Sequence, residues 1–157
     1  MDNKKILQKR FSKLTAHYTA LTEYKKLIDD ILQKEDILTV RKFNFIPPSQ
    51  RAIFDAYLKR FASIQDFLGA KIFPALLQLN GIYTSKMSEI IYYIEKEEII
   101  DSLEQWIELR EIRNELEHDY PEELAEALND LKYCIDHYST LKLYCDNAIS
   151  FAKRFNI

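Results

Sequence analysis

The chain has 157 residues, 47 % of them apolar and 30 % charged, with only two glycines and four prolines. That length suits one domain over 1–157 with a core that needs neither disulfides nor a metal, and the shortage of Gly and Pro favours helices over turn-rich sheets. A formal charge of −3 and a pI of about 5.7 exclude a global positive field, so any contact with nucleic acid has to be local.

Lys4, Lys5, Lys9, Arg10 and Lys13 cluster near the start and Lys25 with Lys26 follows, a pattern that reads first as an ordinary solvated helix surface. Cys134 and Cys145 are the only cysteines, without a C-x-x-C partner or clustered His, and are expected in the core. No charged-then-apolar leader is seen and no apolar run approaches the ~20 residues of a membrane span. A cytoplasmic, reduced protein without membrane contact is expected.

Leu7, Phe11, Leu14, Tyr18, Leu21, Ile28 and Leu32 recur at three and four residues and predict a long first helix. Between Gln33 and Pro48 the rhythm lapses, with Phe43, Phe45 and Ile46 expected to pin the connection to the core. Ser49 is the expected cap of a second helix to Leu79, with Phe54, Tyr57, Leu58, Phe61, Ile64, Leu68, Ile72 and Leu76 inward and a kink at Pro74. Asn80 and Gly81 end it, and Ser85 opens a short third helix carrying Met87, Ile90, Ile91 and Ile94. Ser102 and Gln105 read as a capping box for a fourth helix to about Asp119, where Pro121 interrupts. A fifth helix is predicted to run unbroken from Glu122 to Phe155. The expected fold is all-α, an antiparallel bundle of about five helices, three long and two shorter.

At about 100° per residue, Trp106, Arg110, Arg113, Asn114 and Glu117 share one side of the fourth helix, beside a strip of Leu109, Ile112 and Leu116. His118 lies one turn beyond Asn114. Taken alone, these residues read as a solvated helix end, with Arg113 and Glu117 as an i,i+4 ion pair and His118 as a terminal cap. Trp106 reads as a core or dimer-interface anchor.

The stretch RNELEHDY, Arg113 to Tyr120, resembles the signature of the HEPN superfamily (higher eukaryotes and prokaryotes nucleotide-binding): Arg, four to six residues, then His, often with Asn after the Arg and Tyr two after the His. Arg113, Asn114, His118 and Tyr120 fill it. The approach WIELREIRN and the segment RFASIQDFLG, Arg60 to Gly69, are similar to members encoded beside a minimal nucleotidyltransferase, so the likeness covers most of the chain.

The resemblance implies a HEPN-like bundle and a metal-independent RNA endonuclease, the toxin of a toxin-antitoxin pair whose antitoxin is the cognate minimal nucleotidyltransferase. Cleavage without metal needs a base for the 2′-hydroxyl, an acid for the leaving oxygen, and cations for the anionic phosphorus. One His118 per chain falls short of two proton transfers, whereas a homodimer facing two copies of the stretch supplies both. In this reading Arg113 binds phosphate, His118 transfers protons and Asn114 orients the histidine or the substrate, with Arg110 and Arg60 in support. Tyr120 is the expected site of AMP addition by the nucleotidyltransferase. The alternative is a non-catalytic nucleotide- or partner-binding subunit of the nucleotidyltransferase. His17 and His137 stand alone, so neither a metal nor another cofactor is assigned.

Overall fold

The computed structural model describes residues 3–120 and 122–157; Pro121, the expected stop of the fourth helix, lies outside them. The described elements are helical: α1 Asn3–Lys34, α2 Val40–Phe43, α3 Pro48–Phe67, a π-helical turn Leu68–Ile72, α4 Phe73–Leu79, α5 Met87–Lys96, α6 Leu103–Asp119, α7 Leu124–Asp136 and α8 Tyr138–Lys153. An all-α architecture is therefore established, with more breaks than the five expected helices. Among the described residues no helix is long and apolar enough to cross a membrane.

On α1 the buried residues are Leu7, Leu14, Leu21 and Ile28, a strict seven-residue repeat that keeps one seam against the core. α1 runs antiparallel to α3, since His17 meets Arg60 and Lys13 meets Phe67. Phe43 and Ile46 pin the connection through the short α2, but Phe45 is exposed, contrary to expectation. Thr39 caps α2 by accepting from the Lys42 amide. α3 starts one residue before Ser49: Pro47 is the N-cap, without a side-chain bond, and Pro48 occupies the first turn, where a missing N–H costs nothing.

The expected kink at Pro74 is resolved as a π turn just before it. Pro74 has no N–H and its ring would strike the carbonyl of Ala70, so the chain widens to a five-residue register, with the Phe73 amide on the Leu68 carbonyl. Gly81, at φ 78, then closes α4: the Ile82 amide returns to the Leu77 carbonyl at 2.9 Å. α5 begins at Met87 rather than Ser85, with Lys86 at its N-cap. Its end repeats the same closure through Ile99 N–H to the Ile94 carbonyl, with Glu98 rather than Gly at φ 61.

Ser102 caps α6 by accepting from the Gln105 amide at 3.1 Å, but the box is only half made, because the Gln105 side chain donates to the Tyr133 hydroxyl of α7 at 2.7 Å. The predicted fifth helix is broken at His137, whose Nδ1 lies 2.8 Å from the Tyr133 carbonyl while its ring stacks on Tyr133 at 3.8 Å. The same carbonyl still accepts the His137 amide at 3.0 Å, so the imidazole shares it with the backbone, and the break lies in the turn of the chain at His137 (φ −98, ψ 16). Both cysteines are buried and free, and burial pushes each thiol up to about 12.

Two substitutions test these helix ends in urea melts. Ser102→Ala is expected to lower the unfolding free energy by about 1 kcal/mol through loss of the cap. Glu98→Gly is expected to raise it by about 0.5–1 kcal/mol, because relief of the left-handed strain exceeds the extra chain entropy of Gly.

Candidate functional site

The fourth predicted helix is α6, and its residues separate into two rows. Trp106, Leu109, Arg113 and Leu116 face inward and are buried. Arg110, Asn114 and His118 follow one another at four-residue steps on the exposed face, next to Ile107, itself 44 % exposed. The expected cluster of two arginines and an amide is thus divided between core and solvent, because Arg113 lies seven residues from Trp106 and shares its azimuth.

Trp106 is the anchor of the inner row. Its ring packs on Phe73 at 5.0 Å and on Tyr144 at 6.1 Å, and lies beside Gly69, where an added Cβ would meet Cζ2 at an ordinary 3.5 Å. Seven residues on, the Arg113 guanidinium reaches α3, where Nη2 donates to Asp66 Oδ1 at 2.7 Å. Glu117 adds a longer contact of 3.6 Å to Nη1. Arg113 is only 6 % exposed, so its cationic edge is occupied by carboxylates. α3 and α6 run antiparallel through these contacts, and the end of α6 comes to the first turns of α3. There the Tyr120 ring meets Phe43 edge-on at 6.4 Å, and its hydroxyl lies near the Asp55 carboxylate. Burial and the Asp55 charge raise the Tyr120 pKa; burial also raises that of Asp55, while Arg51 and the neighbouring Tyr120 hydroxyl oppose it.

Two of the clefts that flank α6 are lined by Arg110. One of about 410 Å³ lies towards α5 and is lined by Met87, Ile91, Leu103, Ile107, Arg110 and Asn114. The other, about 220 Å³, lies towards α3 and the π turn, with Gln65, Asp66, Gly69, Trp106 and Arg110 in its wall. Gln65 is buried and both polar atoms of its amide lack a partner among the described residues, as does Arg113 Nε. Sequence reading passed over Asp66, Asp55 and Gln65: all three lie on α3, far from the motif in sequence, and a single helical pattern carries no sign of such pairings.

Of the three histidines, two are engaged. His17 Nδ1 lies 2.9 Å from Arg60 Nη1, and His137 holds the Tyr133 carbonyl. His118 is exposed, with no hydrogen bond to any described residue. Arg60 therefore faces α1, on the opposite flank of α3 from Asp66, and is not gathered with Arg113. Burial first, then Arg60 and Lys13, lower the His17 pKa below 6.5.

The surroundings of α6 are strongly acidic. Between Glu95 and Asp136 Asp and Glu outnumber Lys and Arg by fifteen to four. Comparison with protein-family models, curated proteins and solved structures gave no significant match.

Asp66→Ala should destabilise the fold by about 2 kcal/mol, by leaving a buried guanidinium with only its longer contact to Glu117, whereas Arg113→Met, which removes the charge with it, should cost less. Chemical denaturation of both variants checks the order. For His17, the folded state binds its proton less readily than the unfolded chain. Its contribution to stability is therefore complete above about pH 6.5 and falls as the pH drops towards its folded pKa, a dependence that His17→Gln should flatten.

Proposed function

We propose that this chain is a HEPN-type ribonuclease toxin, active as a homodimer and paired with a minimal nucleotidyltransferase antitoxin. The observation that carries the reading is His118: it is the one histidine with an exposed, unengaged ring, and it ends an exposed row with Arg110 and Asn114. In the homodimer a second copy lies across this exposed face with the twofold axis near the His118 end of the row, so that two such histidines meet. One His118 removes the 2′-hydroxyl proton as that oxygen attacks phosphorus. The partner's His118 protonates the departing 5′ oxygen, leaving a cyclic phosphate. In this scheme Arg110, which has no ion pair among the described residues, offers a guanidinium. Arg113, held by Asp66, sets the helix and reaches phosphate only when that pair opens.

Tyr120 keeps its role as the acceptor of AMP. Its oxygen attacks the α-phosphorus of ATP, pyrophosphate leaves, and Asp55 is placed to take the phenolic proton. An anionic nucleotide on this tyrosine, two residues from His118, would repel RNA.

Purified chain incubated with total RNA should cut it, and His118→Ala should slow cutting by at least about 100-fold while the dimer persists in light scattering. Expression without the antitoxin should slow growth, and the same substitution should relieve it. Uncut RNA together with unaffected growth would sink the proposal.

A second reading, a non-catalytic subunit that docks the nucleotidyltransferase, is favoured by the acidic field around α6, which suits a basic protein surface better than RNA. In that case a stable complex forms, RNA stays intact and Arg113→Ala leaves growth unchanged.

A further inference from the structure

We propose that the strip made by Lys9, Lys13 and His17 on α1 and Arg60 on α3 binds the phosphate backbone of single-stranded RNA, a track that the acidic motif helix does not itself provide. The choice of ligand rests on the ribonuclease reading above.

The first support is the distribution of charge. Residues 3–22 contain five Lys and Arg and no Asp or Glu, in a chain whose net charge is negative. The first turn of α1 carries no acidic residue, although the positive end of a helix favours carboxylates and disfavours lysines. Local rules of stability broken in one place are a mark of function.

The second support is geometry. Arg60 Nη1 and His17 Nδ1 are 2.9 Å apart, a contact in which the guanidinium donates and the imidazole accepts, leaving the ring's other nitrogen as a donor. Lys13, one turn before His17, has its ammonium 5.2 Å over the Phe67 ring, which holds it towards α3. Arg10 is anchored on the Lys71 carbonyl at 3.0 Å and so fixes the end of the seam. Three basic groups thus converge with no carboxylate bonded to any of them among the described residues. The charges acting on the His17 ring are cationic, Arg60 and Lys13, with burial the larger influence. An arriving phosphate would accept from Arg60, Lys13 and the free imidazole N–H at once, and would relieve their mutual repulsion. Lys9, Lys13 and His17 recur at four-residue steps, about 6 Å along the helix axis. A stride of that order lets one extended strand lay successive phosphates along the row.

The test uses full-length His118→Ala protein, which keeps RNA intact, and a 5′-fluorescein-labelled single-stranded RNA of twelve nucleotides, read by anisotropy across a salt series. Binding should weaken with salt at a log–log slope of about −2 or steeper. Lys9→Glu with Lys13→Glu should make the slope shallower by about 1.4, for two lost phosphate contacts, and should weaken binding at least about tenfold at 0.1 M salt. Arg60→Gln should weaken it as well. The control pair Lys26→Glu with Lys34→Glu, equal in charge and on the same helix, should retain binding. An equal loss in the control, unchanged binding in the Lys9 and Lys13 pair, or no RNA binding by the parent protein would each overturn the inference. The two readings fail separately. If protein with His118 intact cuts RNA and the Lys9 and Lys13 pair cuts it with the same kcat/KM, the track is wrong and the ribonuclease stands. If RNA binds as expected and no form cuts it, the track stands and the ribonuclease falls.

Discussion

A guanidinium withdrawn from water among apolar side chains requires an anion with fixed geometry, and Arg113 finds it in Asp66 of α3 at 2.7 Å. This pair sets how the motif helix sits. Once Arg113 is turned towards α3, helical geometry directs Trp106 and Leu109 into the core and carries Arg110, Asn114 and His118 to the surface. Gly69 and the π turn complete the arrangement from the other side, where the Trp106 ring packs along the Gly69 backbone and an added Cβ would meet it at 3.5 Å, an ordinary contact. The irregular turn that Pro74 imposes therefore lies beside the helix carrying the proposed chemistry.

The charge pattern divides the molecule. α6 and its neighbours are acidic, the first two-thirds of α1 is basic, and α3 lies between, giving Asp66 to one side and Arg60 to the other. A net charge of −3 conceals this separation. For a protein proposed to act on RNA, proton transfer and substrate attraction need not share a surface: His118 sits in the acidic part, the cations that can steer a polyanion in the basic part.

Much of the fold was legible in the sequence. The three- and four-residue spacing located α1, α3 with α4, α5 and α6, and most of the apolar residues it selected are buried, because burial of one helical face is a local consequence of period 3.6. It failed where a side chain made a contact that no period encodes. The last long helix breaks at His137, whose imidazole caps the Tyr133 carbonyl beside its own backbone amide, Gln105 leaves its capping box for the Tyr133 hydroxyl, and Phe45 points to solvent although its neighbours Phe43 and Ile46 are core.

By itself the sequence determined the helical class, the buried seams and the presence of an Arg113, Asn114, His118 and Tyr120 set at the end of one helix, all of which follow from residue type and spacing along a single element. Only the tertiary structure decided which of these residues meet. It buried Arg113 on Asp66, left His118 exposed, placed Tyr120 on Asp55 and turned Arg60 away to His17. The reason is that a charge on a helix chooses its partner by the neighbour that packs against it, and that neighbour lies some tens of residues away in the chain.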